Sequence, residues 1–230
     1  MFFQNLRGHA VATVNLYAII LFSVIASALV LILPFRKALR HAPDGLVRSG
    51  TAYFALIGLG FMFVEITLMQ MMSMFLGHPV YGLGIVLFSM ILSAGAGSFV
   101  SESFRLDTAR RRTLWALATA AYVAFLSAST GMLLGAFIES PFPVRVALCV
   151  GLIFPCGMTL GFAFPTGMRL TEKTAGALTP WFWGINGATG VVASALAMAI
   201  SIGCGLPVTL LAGAACYALL AVPAVRLLRA

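Results

Sequence analysis

Residues 60–82 read GFMFVEITLMQMMSMFLGHPVYG. From Gly60 to Leu76 the run is apolar apart from Glu65, Thr67, Gln70 and Ser73, and it halts at Gly77, His78 and Pro79. Gly and Pro punctuate local structure, and apolar sequence resumes directly after them. With the residues before it, the run covers 51–76. At 1.5 Å rise per residue, about 20 apolar residues cross the hydrocarbon core of a bilayer. The stretch therefore reads as the second half of a spanning helix, a tight turn, and the start of the next span.

The rest of the chain repeats this pattern. Hydrophobic residues make up 61% of the 230 residues and charged residues 9%, against about 25% charged in a soluble domain. Seven segments qualify as spans, at 11–33, 51–76, 80–100, 114–138, 146–164, 181–202 and 206–225. The expected fold is an all-α polytopic transmembrane bundle forming a single domain over 1–230, with no room for a soluble domain. The first segment is too long, and too poor in preceding charge, for a signal peptide.

The net charge is +8, but the basic residues lie in short connections between apolar runs, so a nucleic-acid partner is not expected. With seven crossings, one side of the membrane collects Arg36, Lys37, Arg40, Arg48, Arg105, Arg110, Arg111, Arg112, Arg169, Lys173, Arg226 and Arg229. The other side holds only Arg7 and Arg145. The positive-inside rule then puts the N-terminus outside and the C-terminus in the cytoplasm.

Small residues recur four apart, as in GMLLG (Gly131, Gly135) and GMTLG (Gly157, Gly161), and Gly184, Gly187 and Gly190 follow in GINGATG. In lipid such spacing lets helix backbones approach closely. Cys149, Cys156, Cys204 and Cys216 fall in apolar runs without a C-x-x-C pair and read as packing residues. Met62, Met69, Met71, Met72 and Met74 spread over two faces of one helix, so flexible packing is expected rather than a copper site. Neither a metal nor a cofactor is expected. Trp181 and Trp183 suit the aromatic belt, and Pro165 is expected to break the fifth span.

Glu65 is the one acid inside a predicted span. A charge at a helix centre costs about 2.5–3.5 kcal/mol on insertion scales, so such a residue faces a partner or a cavity. Phe61, Met62, Leu68, Met69 and Met72 share its side of the helix, and Asn186, Ser89 and Tyr122 are candidate partners from other helices. Two roles stand open: a proton, cation or amine site, and a protonated, hydrogen-bonded structural acid. His78 could titrate near neutral pH or simply cap the turn. Arg169 could bind a phosphate or snorkel, and Asn186 could bond across helices.

Four stretches, YFALIGLGFMFVEITLMQ, FLGHPVYGLGIVLFSMILSAGAGS, GFAFPTGMRL and PWFWGINGATGVVASALA, occur in order. Together they resemble the C-terminal membrane region of bacterial spermidine synthase-like integral membrane proteins, the fused major-facilitator/spermidine-synthase family. The start, MFFQNLR, resembles the linker after that family's catalytic domain. By motif match the resemblance singles out Glu65, Gln70, His78, Pro79, Pro165, Arg169, Trp183, Asn186 and Gly187. It implies a polyamine-like solute and a bacterial inner membrane. The Rossmann-like catalytic domain, with its Gly-rich nucleotide loop, does not occur in these residues, so aminopropyl transfer would need a separate domain.

The expectation is thus a membrane module that binds or moves a small cationic solute near Glu65, with Gln70, His78, Asn186, Trp183 and Arg169 as further binding candidates. The alternative is a non-catalytic scaffold or anchor for a spermidine synthase-like domain or subunit. The expected partners are the lipid bilayer, such a subunit, and further copies of the chain.

Overall fold

A computed structural model describes residues 2–40, 44–104, 106–175 and 178–227. These residues form eight helices and no strand: α1 (Phe2–Arg40), α2 (Asp44–Leu76), α3 (Pro79–Ser103), α4 (Ala109–Ala136), α5 (Phe142–Gly161), α6 (Ala163–Ala175), α7 (Thr179–Cys204) and α8 (Leu206–Arg226). Seven stretches are long and apolar enough to cross a membrane, with α5 and α6 together supplying one of them, Phe142–Thr171. The chain is a polytopic helical membrane protein, in which every spanning segment satisfies its own backbone polar groups.

Local chemistry sets the helix ends. Gly77 closes α2 at φ +81°, and Gly205 separates α7 from α8 at φ +93°, a backbone region closed to most side chains. Proline occupies the first or second position of α3, α5, α7 and α8, where its missing N–H removes no helical bond. The fifth span breaks at Phe162, between α5 and α6. Pro165 is the cause, because it offers no N–H to the carbonyl four residues back, at Gly161. The break therefore falls just upstream of the proline. Pro155, further into α5, leaves the helix intact.

α2 is the hub. It packs against α3, α5, α6, α7 and α8, whereas α1 packs on α7 and leaves most of its Val14–Ile32 stretch outward. Small residues make the tightest crossings. A Cβ on Gly161 would fall on the Ala94 carbonyl, and one on Gly97 on the Met158 carbonyl, so α3 and α5 meet backbone to backbone. Gly157 stands against Ser93 and the Met90 carbonyl in the same seam. Gly58 abuts the Asn186 carbonyl and Thr189 on α7, while Gly60 and Gly213 bring α2 and α8 together. Gly131 and Gly135 meet nothing within 4 Å, so this pair, expected to pack, lies on an open face.

Side-chain bonds tie the helices further. Trp115 donates to the Thr159 carbonyl at 3.1 Å and Tyr122 to the Leu152 carbonyl at 3.0 Å, joining α4 to α5. Trp181 is buried and donates to Thr51 at 2.9 Å, so it joins α7 to α2 and is not the belt residue expected of it. Two arginines cap helix C-termini. Arg145 donates to the Phe75 carbonyl at 2.9 Å in the last turn of α2. Arg112, 5% exposed, donates to the carbonyls of Leu106 (2.5 Å), Ala224 (3.3 Å) and Asp107 (3.5 Å), clasping the end of α8. A cation suits the negative end of a helix dipole.

Candidate functional site

Glu65 is 8% exposed and has no hydrogen-bond or ion-pair partner among the described residues. It lies 11 residues from the end of α2 at Leu76, about 16 Å along the axis and hence near the middle of a bilayer core. Tyr122 is committed to α5 and is not available to it.

Two cavities flank this acid along α2. The first, of about 650 Å³, is lined by Phe61 and Met62 of α2, by Phe164 at the broken span, by Trp183 and Asn186 of α7, and by Tyr217 of α8. The second, of about 710 Å³, is lined by Met69, Gln70 and Ser73 of α2, by Leu83 of α3, and by Ser201 and Ile202 of α7. Residues three and four apart share a helix face. Phe61 and Met62 come one turn before Glu65 and Met69 one turn after it, so the two cavities open on the same side of α2 before and after this residue, while Glu65 itself lines neither. Both chambers draw their walls from α2, α3 and α7.

The helix break shapes the first chamber. Gly161, Ala163 and Pro165 all line it. The Tyr53 hydroxyl fixes the geometry by donating to the Ala163 carbonyl at 2.8 Å, and the Phe164 ring meets Trp183 edge-on at 4.6 Å. The chamber is predominantly apolar. Its polar lining residues are Asn186, Ser98 and Ser194, with backbone at the break. Ser194 already bonds the Gly190 carbonyl. Tyr217 is 1% exposed, and its hydroxyl has no partner among the described residues.

The sequence candidates divide among several places. Trp183 and Asn186 line the first chamber together with Gly187 and Pro165. Gln70 lines the second with Pro79, and its amide points at the Met198 sulfur, 3.8 Å away. His78 caps α3, its Nδ1 accepting from the Val80 N–H at 3.3 Å, and its ring meets Tyr81 at 5.6 Å. Arg169 reaches Ser101 at 3.4 Å and Thr166 at 3.3 Å, which ties α6 to α3. The structure thus brings Trp183 and Asn186 together in one cavity, places Gln70 in another, and leaves Glu65, His78 and Arg169 outside the lining of both. Phe164 and Tyr217 escaped the sequence reading. Each is an aromatic within an apolar run, and spacing alone does not separate a lining ring from a packed one.

Among the described residues, no three His, Cys, Asp or Glu side chains come together as a metal-binding group. The chain matches no protein-family model, no curated protein and no solved structure.

Proposed function

We propose that the chain is a bacterial inner-membrane module that binds or moves a small cationic solute, with Glu65 as its intramembrane anion. The observation that carries this reading is a buried acid inside a spanning helix, with no hydrogen bond to a described residue, whose neighbours one helical turn to either side line two cavities. An acid inside a span is costly to keep, and a cation that reaches it from one of these cavities would offset that cost. Aromatic rings at Phe61, Phe164 and Trp183 add cation-π faces in the first chamber. The orientation in this proposal is the one the loop charges favour, with the C-terminus in the cytoplasm.

The test is binding to the purified protein in nanodiscs, by calorimetry and thermal shift, with spermidine and phenethylamine as probes. A ligand at 100 times its Kd stabilises the native state by about 2.7 kcal/mol. The wild-type protein is expected to be stabilised by at least one cation, and Glu65→Gln to fold normally without that response. Absence of binding by the wild-type protein, or equal binding by Glu65→Gln, would overturn this reading and leave the scaffold role for a synthase-like domain.

A further inference from the structure

We infer that the first cavity is a lipid site: it takes one acyl chain of an anionic phospholipid, whose phosphate lies outside its mouth against Arg169. The inference does not depend on the role of Glu65.

The cavity is a crevice in the side of the bundle. α3 and α7 both pack along α2 and barely touch each other. The walls of the gap between them carry small side chains, Ala94, Gly95 and Ser98 on α3 and Gly187, Gly190 and Ser194 on α7. Gly95, Trp183, Gly187 and Val191 are exposed although they line it. The crevice therefore opens sideways, and both walls belong to spanning segments, so what lies outside is lipid. From Trp183 to Ser194 the α7 wall runs about 16 Å along the helix axis. One leaflet of a bilayer core has that depth, half of ~30 Å. A void there would forfeit contacts along its whole lining. A flexible hydrocarbon chain, which the surrounding leaflet supplies, restores them. A chain in this crevice leaves the second cavity as the open approach to α2.

Charge marks one end. Pro165 lines the crevice, and Arg169 follows one helical turn later on α6. Its guanidinium meets the Thr166 hydroxyl at 3.3 Å and the Ser101 hydroxyl at 3.4 Å. Ser101 in turn donates to the carbonyl of Ser98, a lining residue, at 2.6 Å. These bonds hold the guanidinium beside the mouth and outside the apolar lining, where the headgroup of an inserted chain comes to rest. Both partners are neutral hydroxyls at long range, so donors of the five-donor fork remain for phosphate oxygens. The same end of the bundle carries the exposed Arg110 and Arg111, and a basic surface favours anionic over zwitterionic headgroups. A phospholipid joins the anion and the chain in one molecule. A helix of a second copy is the competing occupant of a small-walled crevice, and it leaves the guanidinium unexplained.

The experiment uses native mass spectrometry and melting temperature on the detergent-purified protein. The probes are phosphatidylglycerol and phosphatidylcholine with the same acyl chains, and glycerol 3-phosphate. The proteins are the wild type, Arg169→Gln and Gly187→Phe. An added Cβ at Gly187 meets nothing within 4 Å, so phenylalanine there should obstruct the crevice without displacing a helix. The wild-type protein is expected to retain one phosphatidylglycerol about tenfold more tightly than phosphatidylcholine, and to ignore glycerol 3-phosphate. Arg169→Gln should bring phosphatidylglycerol down to the level of phosphatidylcholine, and Gly187→Phe should weaken both. Equal affinity for the two lipids in the wild-type protein would overturn the inference whether or not Arg169→Gln folds. Undiminished lipid binding by Gly187→Phe would place the chain elsewhere and overturn it too. A response to glycerol 3-phosphate as strong as that to the lipid, and lost in Arg169→Gln, would make this a site for soluble phosphate instead. A wild-type dimer that Gly187→Phe turns into a monomer, with lipid binding unchanged, would assign the crevice to a second copy.

Discussion

Arg112 shows how position changes the meaning of a charge. In sequence it is one of three consecutive arginines, Arg110, Arg111 and Arg112, and all three count toward the basic side of the membrane. In the structure Arg110 and Arg111 are exposed, while Arg112 turns inward at the first turn of α4 and bonds three carbonyls. Its removal would leave a buried C-terminal carbonyl of α8 without its donor. Arg112→Gln is expected to destabilise the protein by about 2–4 kcal/mol, since charged hydrogen bonds and the groups they leave behind weigh more than neutral ones. Arg111→Gln removes the same loop charge from an exposed site and is expected to stay within about 0.5 kcal/mol. Thermal unfolding in detergent compares them, and equal melting temperatures would refute the clasp. Glu65 presents the converse case. Its oddity was legible because an acid in an apolar run has few explanations. The cavity beside its helix was not, because the lining residues Phe164 and Tyr217 come from distant spans and look like ordinary packing residues.

The helices themselves were legible almost throughout. Apolar runs of spanning length fixed the seven crossings, and breakers such as Gly77–Pro79 and Gly205 fixed the turns. Which side of a helix packs was less accessible. GMTLG and GMLLG have the same spacing, yet Gly157 and Gly161 touch α3 and Gly131 and Gly135 touch nothing. The difference lies in the partner: Ser93, Ala94 and Gly97 offer α5 a second small-residue face, and no such face lies opposite Gly131 and Gly135. Gly161→Leu would force its side chain into the Ala94 backbone, so α3 and α5 would have to separate. A melting temperature lowered by several degrees is expected, with Gly135→Leu unchanged as the control. An unchanged Gly161→Leu protein would mean that this seam is not closed in the membrane.

For the whole molecule, orientation is the property that composition addresses most directly. A reporter fused after Ala230 is expected to read as cytoplasmic, and one inserted at His78 in the α2–α3 turn as periplasmic. Two reporters on the same side would contradict an odd number of crossings between the sites. The buried position of Arg112 does not alter this expectation, because it sits at the same end as the exposed Arg110 and Arg111. Long-range arrangement is the part that sequence conceals. Nothing in the order of the spans announces that the second becomes the hub, or that its principal neighbours include the last two.

That arrangement has a consequence for biogenesis. α2 is synthesised well before α7 and α8, which cover much of its surface. At about 5–20 residues per second, the roughly 150 residues between the end of α2 and the end of α8 take on the order of 8–30 s to synthesise. Through that interval the nascent chain holds an acidic helix without its α7 and α8 neighbours, and α4 waits with a guanidinium whose carbonyl partner on α8 is still untranslated. The α2 contacts with α7 and α8 therefore form only after that interval. A ribosome stalled before α7 releases a product with polar groups facing lipid, which is the kind of substrate that membrane quality-control proteases recognise.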